Sequence, residues 1–183
     1  TSLSFREKSG YSVNKMSGTA KVGRGKTIIE DLHIDDPWSD VHLPLYMMSY
    51  DNILAFNDFI SMVKIDGNIA ESTLDFRTLS YFAPELKGNE LNATVTGNMS
   101  GYVDDFTFTD VTVNTADGGF KGKTSGRMTG LPEIEDTYLT AELDGFSFTT
   151  KGLGSFITEW MMGKGSLDIS RYAAGTRFSL NGQ

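Results

Sequence analysis

Histidine and aspartate residues give this sequence its best candidate for metal chemistry. His33, Asp35, Asp40 and His42 flank the dipeptide Pro37-Trp38. A two-residue hairpin turn at that dipeptide would bring the two histidines opposite each other and the two aspartates likewise, and these ligand types suit zinc. Proline in the first turn position, however, is incompatible with the primed turns that such hairpins favour. We therefore expect a longer loop, a different register and exposed polar side chains instead of a metal site.

Catalytic motifs are missing from the sequence. Gly163 to Ser166 resembles the end of a phosphate-binding loop, but Thr158 stands where the motif requires its first glycine and Gly165 where it requires a hydroxyl residue. The acidic stretch 133–136 follows Pro132, as is typical of a solvated loop. Neither a dinucleotide fingerprint nor a nucleophile elbow is present. The sequence therefore predicts a protein that is not an enzyme and needs no cofactor.

The composition indicates that strands must position any site. The 183 residues include 20 glycines, 4 prolines and no cysteine, and 39% of them are hydrophobic. Abundant glycine with β-branched and aromatic residues is typical of a turn-rich β protein. The lack of cysteine excludes disulfides and thiolate metal ligands. The net charge of −8 disfavours nucleic acid and anionic membrane surfaces as partners.

Alternation of apolar and polar residues runs through most of the chain and predicts strands with one buried face. The longest run extends from Leu91 to Met99, and Asp144-Gly145 marks either a hairpin or a bulge within one strand. Other apolar positions with this alternation are Leu3, Phe5, Leu32, Ile34, Val41, Leu43, Leu45, Ile65, Ile69, Leu74, Phe76, Leu139, Ala141 and Leu143.

One hairpin is especially clear in the sequence. Phe106 and Phe108 precede Val111 and Val113, and the change of parity near Asp110 predicts a β-bulge. The tripeptide Asp117-Gly118-Gly119 predicts the turn that follows, because glycine adopts positive φ without strain.

Helical spacing interrupts the strands at a few places. From Asp51 to Ile60 the apolar residues follow a helical period, and Asp51 is the predicted N-cap. Residues 153–161 repeat this arrangement. Leu79 to Leu86 is a third candidate, interrupted at Pro84. The sequence therefore predicts two or three short helices among the strands.

Several stretches of the chain resemble one family. These are Glu30–Ser39, Ala70–Leu79 leading to Phe82–Leu86, Gly97–Gly101 and Thr129–Pro132. Their succession resembles the TamB-like branch of the AsmA-like proteins, the translocation and assembly module of diderm bacteria. The resemblance covers most of residues 1–160, and its elements are degenerate patterns and not catalytic signatures.

The resemblance implies a fold and a role. Such proteins are anchored in the inner membrane, cross the periplasm and work with an outer-membrane barrel of the TamA/BamA type. They are implicated in moving phospholipid to the outer membrane, and in protein assembly and secretion there. The implied fold is all-β: a long curled, mostly antiparallel sheet that forms an open trough or half-barrel with an apolar interior. Residues 1–183 are then expected to be a single β-rich segment of a longer periplasmic protein.

Apolar alternation supports a mechanism for that role. The apolar face of an open sheet can shield phospholipid acyl chains from water, with roughly 0.8 kcal/mol gained per buried methylene. The short helices, with Phe56, Phe59, Phe156 and Trp160, are expected to plug or edge the trough. The predicted groove residues are Val95, Met99, Phe106, Phe108, Val111, Val113, Phe120, Met128, Leu139, Leu143, Phe146 and Phe148.

Two other interpretations stay open from sequence. The first is a structural or chaperone-like module whose strand edges pair with unfolded outer-membrane proteins. The second is a closed β-sandwich or barrel that binds glycan, for which Trp38 is a lone candidate contact. Self-association is also expected, because an excised trough exposes two open ends.

Overall fold

Ten antiparallel strands form the molecule's one sheet within the part of the chain that is described. The computed structural model describes residues 2–6, 10–81, 87–88, 90–131, 137–148 and 178–182. The strands are β1 (Ser2–Arg6), β2 (Ser12–Gly23), β3 (Lys26–Asp35), β4 (Asp40–Ser49), β5 (Lys64–Asp75), β6 (Asn92–Tyr102), β7 (Asp105–Thr115), β8 (Phe120–Thr129), β9 (Tyr138–Phe148) and β10 (Phe178–Gly182).

The strands follow one another in space as they do in the chain, so each pairs with its sequence neighbours. The two outermost strands, β1 and β10, do not pair with each other, and the curled sheet stays open. The predicted all-β open sheet with short helices is thereby confirmed. The closed sandwich or barrel does not describe these strands, since all of them belong to one open sheet.

The first helical segment lies between β4 and β5 and differs in detail from its prediction. It consists of a 3-10 helix (Ile53–Asp58) and α1 (Phe59–Met62), which together we call the helical insert. Asn52 is its N-cap, because the side-chain oxygen of Asn52 accepts a hydrogen bond from the Leu54 N–H at 2.9 Å. The prediction of Asp51 as the cap was wrong.

The second helical segment, α2 (Phe76–Leu79), lies earlier than the predicted turn at Leu79–Leu86. Asp75 caps it, accepting from the Arg77 N–H, so Phe76 belongs to the helix and not to the strand. Residues 82–86 and the helix predicted over 153–161 lie outside the described residues.

A line of bulges crosses the middle of the sheet and sets which side chains share a face. The register shifts between β2 and β3 at Asp31, and on both sides of β7 at Asp110, which confirms the bulge predicted there. Both aspartates have positive φ, at 50° and 54°. Such bulges bend a strand and reverse the parity of its two halves. Gly145 has φ 57° inside β9, so the Asp144-Gly145 step is a bulge and not a hairpin.

Parity reversal in β4 overturns one expected core position. Leu43 is buried, at 4% exposure, whereas Leu45 is 47% exposed and pairs with Glu30. Tyr46 lies on the same face as Leu43, since both side chains would contact a Cβ built on Gly67. The hydroxyl of Ser72 accepts from the His42 N–H and donates to the Ala70 carbonyl, and so satisfies the irregular backbone at this point.

Candidate functional site

Cross-strand partners in an antiparallel sheet share a face, so the register assigns every strand residue to one of two faces. We call the face that holds Leu32, Leu43 and Val95 the inner face. Two rows on it cross nine strands without interruption. The first inner row is Val22, Thr27, Met48, Ile65, Gly101, Phe106, Met128, Leu139 and Gly182. The second inner row is Ala20, Ile29, Tyr46, Gly67, Met99, Phe108, Gly126, Ala141 and Leu180.

Large side chains cover the glycines of these rows. A Cβ built on Gly126 would lie 2.7 Å from Cζ of Phe108, and one on Gly67 would lie 3.0 Å from Cε of Met99. The Phe108 ring therefore occupies the space that a side chain on Gly126 would need. Alternation of large and small residues along the second inner row thus fills the gaps at these two glycines with apolar side chains.

The register places on the inner face the predicted groove residues whose side chains are described. Val95 pairs with Val113, Met99 with Phe108, and the chain of partners Phe106, Met128 and Leu139 belongs to the first inner row. Val111 and Leu143 share Thr124 as a partner, and Phe120 lies opposite Phe148. Phe146 lies two residues before Phe148 in β9.

Side-chain burial on this face is incomplete. Among the ten predicted groove residues whose side chains are described, only Val95 is buried, at 9% exposure. The other nine, Phe106 and Phe108 included, are half-buried. A sealed core would bury large apolar side chains of this kind almost completely. Their partial exposure indicates apolar surface that is accessible from outside. The apolar surroundings also act on Tyr46, since burial raises the pKa of its hydroxyl above the usual value.

The opposite, outer face carries charged and polar side chains that pair with one another, together with apolar ones such as Ile28 and Met47. The row between the two inner rows is Lys21, Ile28, Met47, Asp66, Ser100, Thr107, Arg127, Thr140 and Asn181. Arg127 holds Asp105 by two hydrogen bonds, of 2.7 Å from Nε and 2.6 Å from Nη2. These bonds keep the pKa of the Asp105 carboxyl below its usual value. The amide of Asn68 donates to Asn98 across the strands at 2.9 Å.

The two histidines pair on the outer face, and here the expected register was wrong. His33 lies opposite His42 and Asp35 opposite Asp40, with a tight turn at Pro37-Trp38. The imidazole centroids are 4.0 Å apart, and Asp31 Oδ1 lies 3.7 Å from His42 Nε2. No cluster of three or more potential metal ligands occurs in the described part of the chain.

A buried polar cluster at the same turn escaped prediction. Its members are Tyr11, Asp36, Ser39 and Thr78, and Asp36 is only 5% exposed. The Asp36 carboxylate accepts hydrogen bonds from the backbone N–H groups of Trp38 and Ser39, each at 2.8 Å, and from the Thr78 hydroxyl at 2.9 Å. These hydrogen bonds to Asp36 thus stabilise a tight turn that Pro37 by itself would not favour. The dipeptide Asp36-Pro37 is the sequence signal that could have indicated this turn.

This polar cluster joins α2 to the end of the sheet. The Ser39 hydroxyl donates to Thr78 at 2.8 Å and accepts from the Asp75 N–H at 3.0 Å. Ser39 and Thr78 are 3% and 6% exposed, so a substrate would not reach these hydroxyls. Above them the rings of Trp38 and Tyr81 stack at 6.1 Å. The cluster therefore fastens the β5–β6 connection onto the Trp38 end of the sheet.

The helical insert closes the other end of the strands, which we call the Gly25 end. Ala55 of the insert and Val63, which directly follows it, are 1% and 0% exposed. Phe56 contacts Tyr50 and Phe59, with ring centroids 4.9 Å and 6.0 Å away. Phe156 and Trp160, also expected at the edge of the trough, lie outside the described residues.

No protein-family model, curated protein or solved structure matches this chain. None of the described helices has the length and apolar character needed to span a bilayer.

Proposed function

We propose that this chain is a length of a lipid conduit, whose inner face shields phospholipid acyl chains from water as they pass between two membranes. The observation that carries the proposal is the pair of inner rows, which run across nine strands of an open sheet. None of the residues in these rows is charged, and their large described side chains from β3 to β9 are half-buried. Such a surface suits a long apolar ligand that no single pocket would hold.

The wider setting belongs to the same proposal. The resemblance to the TamB-like branch supports a periplasmic protein that is anchored in the inner membrane, reaches an outer-membrane barrel of the TamA/BamA type and serves outer-membrane biogenesis. In this role the sheet needs no catalytic group, because it works by excluding water from the acyl chains. The polar outer face, with its ion pairs, keeps the conduit soluble.

Binding of a monomeric fluorescent fatty acid tests the proposal. Met128 and Leu139 are cross-strand partners on the inner face, and Arg127 and Thr140 are the adjacent pair on the outer face. We expect Met128→Asn with Leu139→Asn to weaken binding about tenfold, since polar amides replace apolar contacts. Arg127→Asn with Thr140→Asn is the matched control and should bind as the wild type does. Equal loss in both variants, or no binding to the wild type, would contradict the proposal.

A second candidate, the chaperone-like module, is favoured by β1, which is an outermost strand among the strands that the structure describes. Leu3 and Phe5 are 58% and 43% exposed there. An open edge with apolar side chains invites another strand to pair with it. Crosslinking from Ser4 separates the candidates, because a β-augmenting module would capture extended polypeptide at this position and a lipid conduit would not.

A further inference from the structure

Exposed apolar side chains are concentrated at the Gly25 end of the sheet. Of the ten large apolar side chains that are exposed among the described residues, seven lie at this end. The four non-aromatic ones are Val22, Ile53, Leu54 and Met62, which are 76%, 72%, 67% and 47% exposed. We call these four the apolar rim. Single exposed apolar residues are ordinary on protein surfaces, but three on one short helical segment, with a fourth on the β2–β3 hairpin that bonds to Tyr50 just before it, are typical of an interaction site.

The helical insert does not need the rim for its own stability. Ala55 within it and Val63 directly after it are buried. Its backbone is held by a 3.1 Å hydrogen bond from the Val103 N–H to the Ile60 carbonyl, and the Ser61 hydroxyl donates to Asp104 at 2.6 Å. The insert is therefore fixed from its inner side, and the outward apolar side chains are available to another surface.

Charges of both signs surround the rim. Arg24 and Lys26 belong to the β2–β3 hairpin, which a 3.0 Å hydrogen bond from the Tyr50 N–H to the Gly25 carbonyl joins to the start of the insert. Asp51 and Asp58 are exposed on the insert side. Two cations and two anions beside apolar side chains match the headgroup of a zwitterionic phospholipid, which carries both charges.

We propose that the apolar rim docks on a zwitterionic phospholipid bilayer and brings the edge of the inner face to the lipid that it takes up. The purpose given to this contact, the uptake of lipid by the inner face, rests on the proposed function. Continuity supports it: Val22 belongs to both the rim and the first inner row, and the Tyr50 hydroxyl lies 2.9 Å from that of Thr27 in the same row. An acyl chain that leaves the bilayer at the rim would therefore reach the first inner row at Val22.

Flotation of the full chain with phosphatidylcholine vesicles tests the rim. We expect the wild type to float with the vesicles, and Ile53→Asn with Leu54→Asn to lower the bound fraction about tenfold. Leu45→Asn is the matched control, since Leu45 is 47% exposed but lies on the outer face, and it should float as the wild type does. The substituted side chains are exposed, so unfolding is not expected, and circular dichroism verifies the fold.

The monomeric fatty acid probe, used without vesicles, separates failure of the rim from failure of the conduit. A rim variant that binds the probe normally but does not float supports the inference. A wild type that binds the probe but does not float overturns it, leaves the conduit standing and favours a protein as the occupant of the rim. Floating without probe binding contradicts the conduit instead. Equal losses of flotation in the rim and Leu45 variants also overturn the inference.

Discussion

At the scale of single residues, Asp36 controls how the sheet ends at Trp38. Its carboxylate accepts from two backbone N–H groups and the Thr78 hydroxyl, and the Tyr11 hydroxyl donates to it at 3.3 Å. Burial, followed by the negative charge of Asp36, raises the pKa of Tyr11 to about 12. One side chain therefore fixes the turn, sets the register of β3 and β4 and attaches α2.

Removing the Asp36 carboxylate should be costly. Asp36→Ala leaves several buried donors without an acceptor, and we expect a loss of about 2–4 kcal/mol in the free energy of unfolding. Asp35→Ala is the control one residue away, because Asp35 is exposed, and it should change stability by less than about 0.5 kcal/mol. Urea unfolding measures both, and equal stabilities for the two variants would show that the cluster does not hold the turn.

The pair formed by Asp75 and Arg77 should make stability depend on pH. Burial alone would raise the pKa of Asp75, but hydrogen bonds from the Arg77 side chain and backbone, with its positive charge, hold the pKa below 3.8. A carboxyl whose folded pKa is depressed stabilises the protein above its unfolded pKa, and this contribution is lost as the pH falls through the folded value.

Arg77→Met tests that dependence, since methionine keeps an apolar stem near Trp38 without the charge. The variant should be less stable than the wild type at pH 7, and the difference should shrink as the pH falls below about 4. Urea unfolding from pH 7 to pH 2 gives the measurement. A difference that stays constant with pH would mean that the ion pair is not its source.

At the scale of the strands, bulges decide which residues reach the inner face. The bulge at Asp110 was predictable because two pairs of large apolar residues, Phe106 with Phe108 and Val111 with Val113, differ in parity across it. The reversal in β4 was not, because Val41, Leu43 and Leu45 alternate without a break in the sequence. Position 45 is apolar yet faces outward, and only the pairing with β3 reveals this.

Substitution at Asp110 tests the bulge. Asp110 has φ 54° and its ion pair with Lys123 is exposed, so Asp110→Gly should keep stability within about 0.5 kcal/mol. A β-branched side chain is strained in this conformation, and Asp110→Val should cost about 1–2 kcal/mol. Thermal or urea unfolding compares the two. If valine were tolerated as well as glycine, the left-handed bulge would not exist in solution.

At the scale of the whole molecule, the two uncharged inner rows lie on one face of the sheet, and the ion pairs Lys21–Glu30 and Arg127–Asp105 lie on the other. Composition and alternation were enough to predict an all-β chain with short helices, because strand period and turn residues are local signals. The open sheet was expected only from the family resemblance, since the residues alone left a closed sandwich or barrel possible. The continuity of the inner rows was not predictable, since it depends on the register of nine strands. The polar cluster and the helical insert also depend on contacts between residues that are distant in the chain, such as Asp36 with Thr78.

Photocrosslinking from the two faces of β7 tests the central claim most directly. Phe106 and Phe108 lie on the inner face, and Thr107 between them lies on the outer face. Benzoylphenylalanine would be placed at each position in turn, and crosslinked phospholipid would be detected by mass spectrometry after irradiation in cells. We expect lipid adducts from positions 106 and 108 and none above background from 107. Equal labelling of the three positions, or none at 106 and 108, would contradict a lipid-carrying inner face.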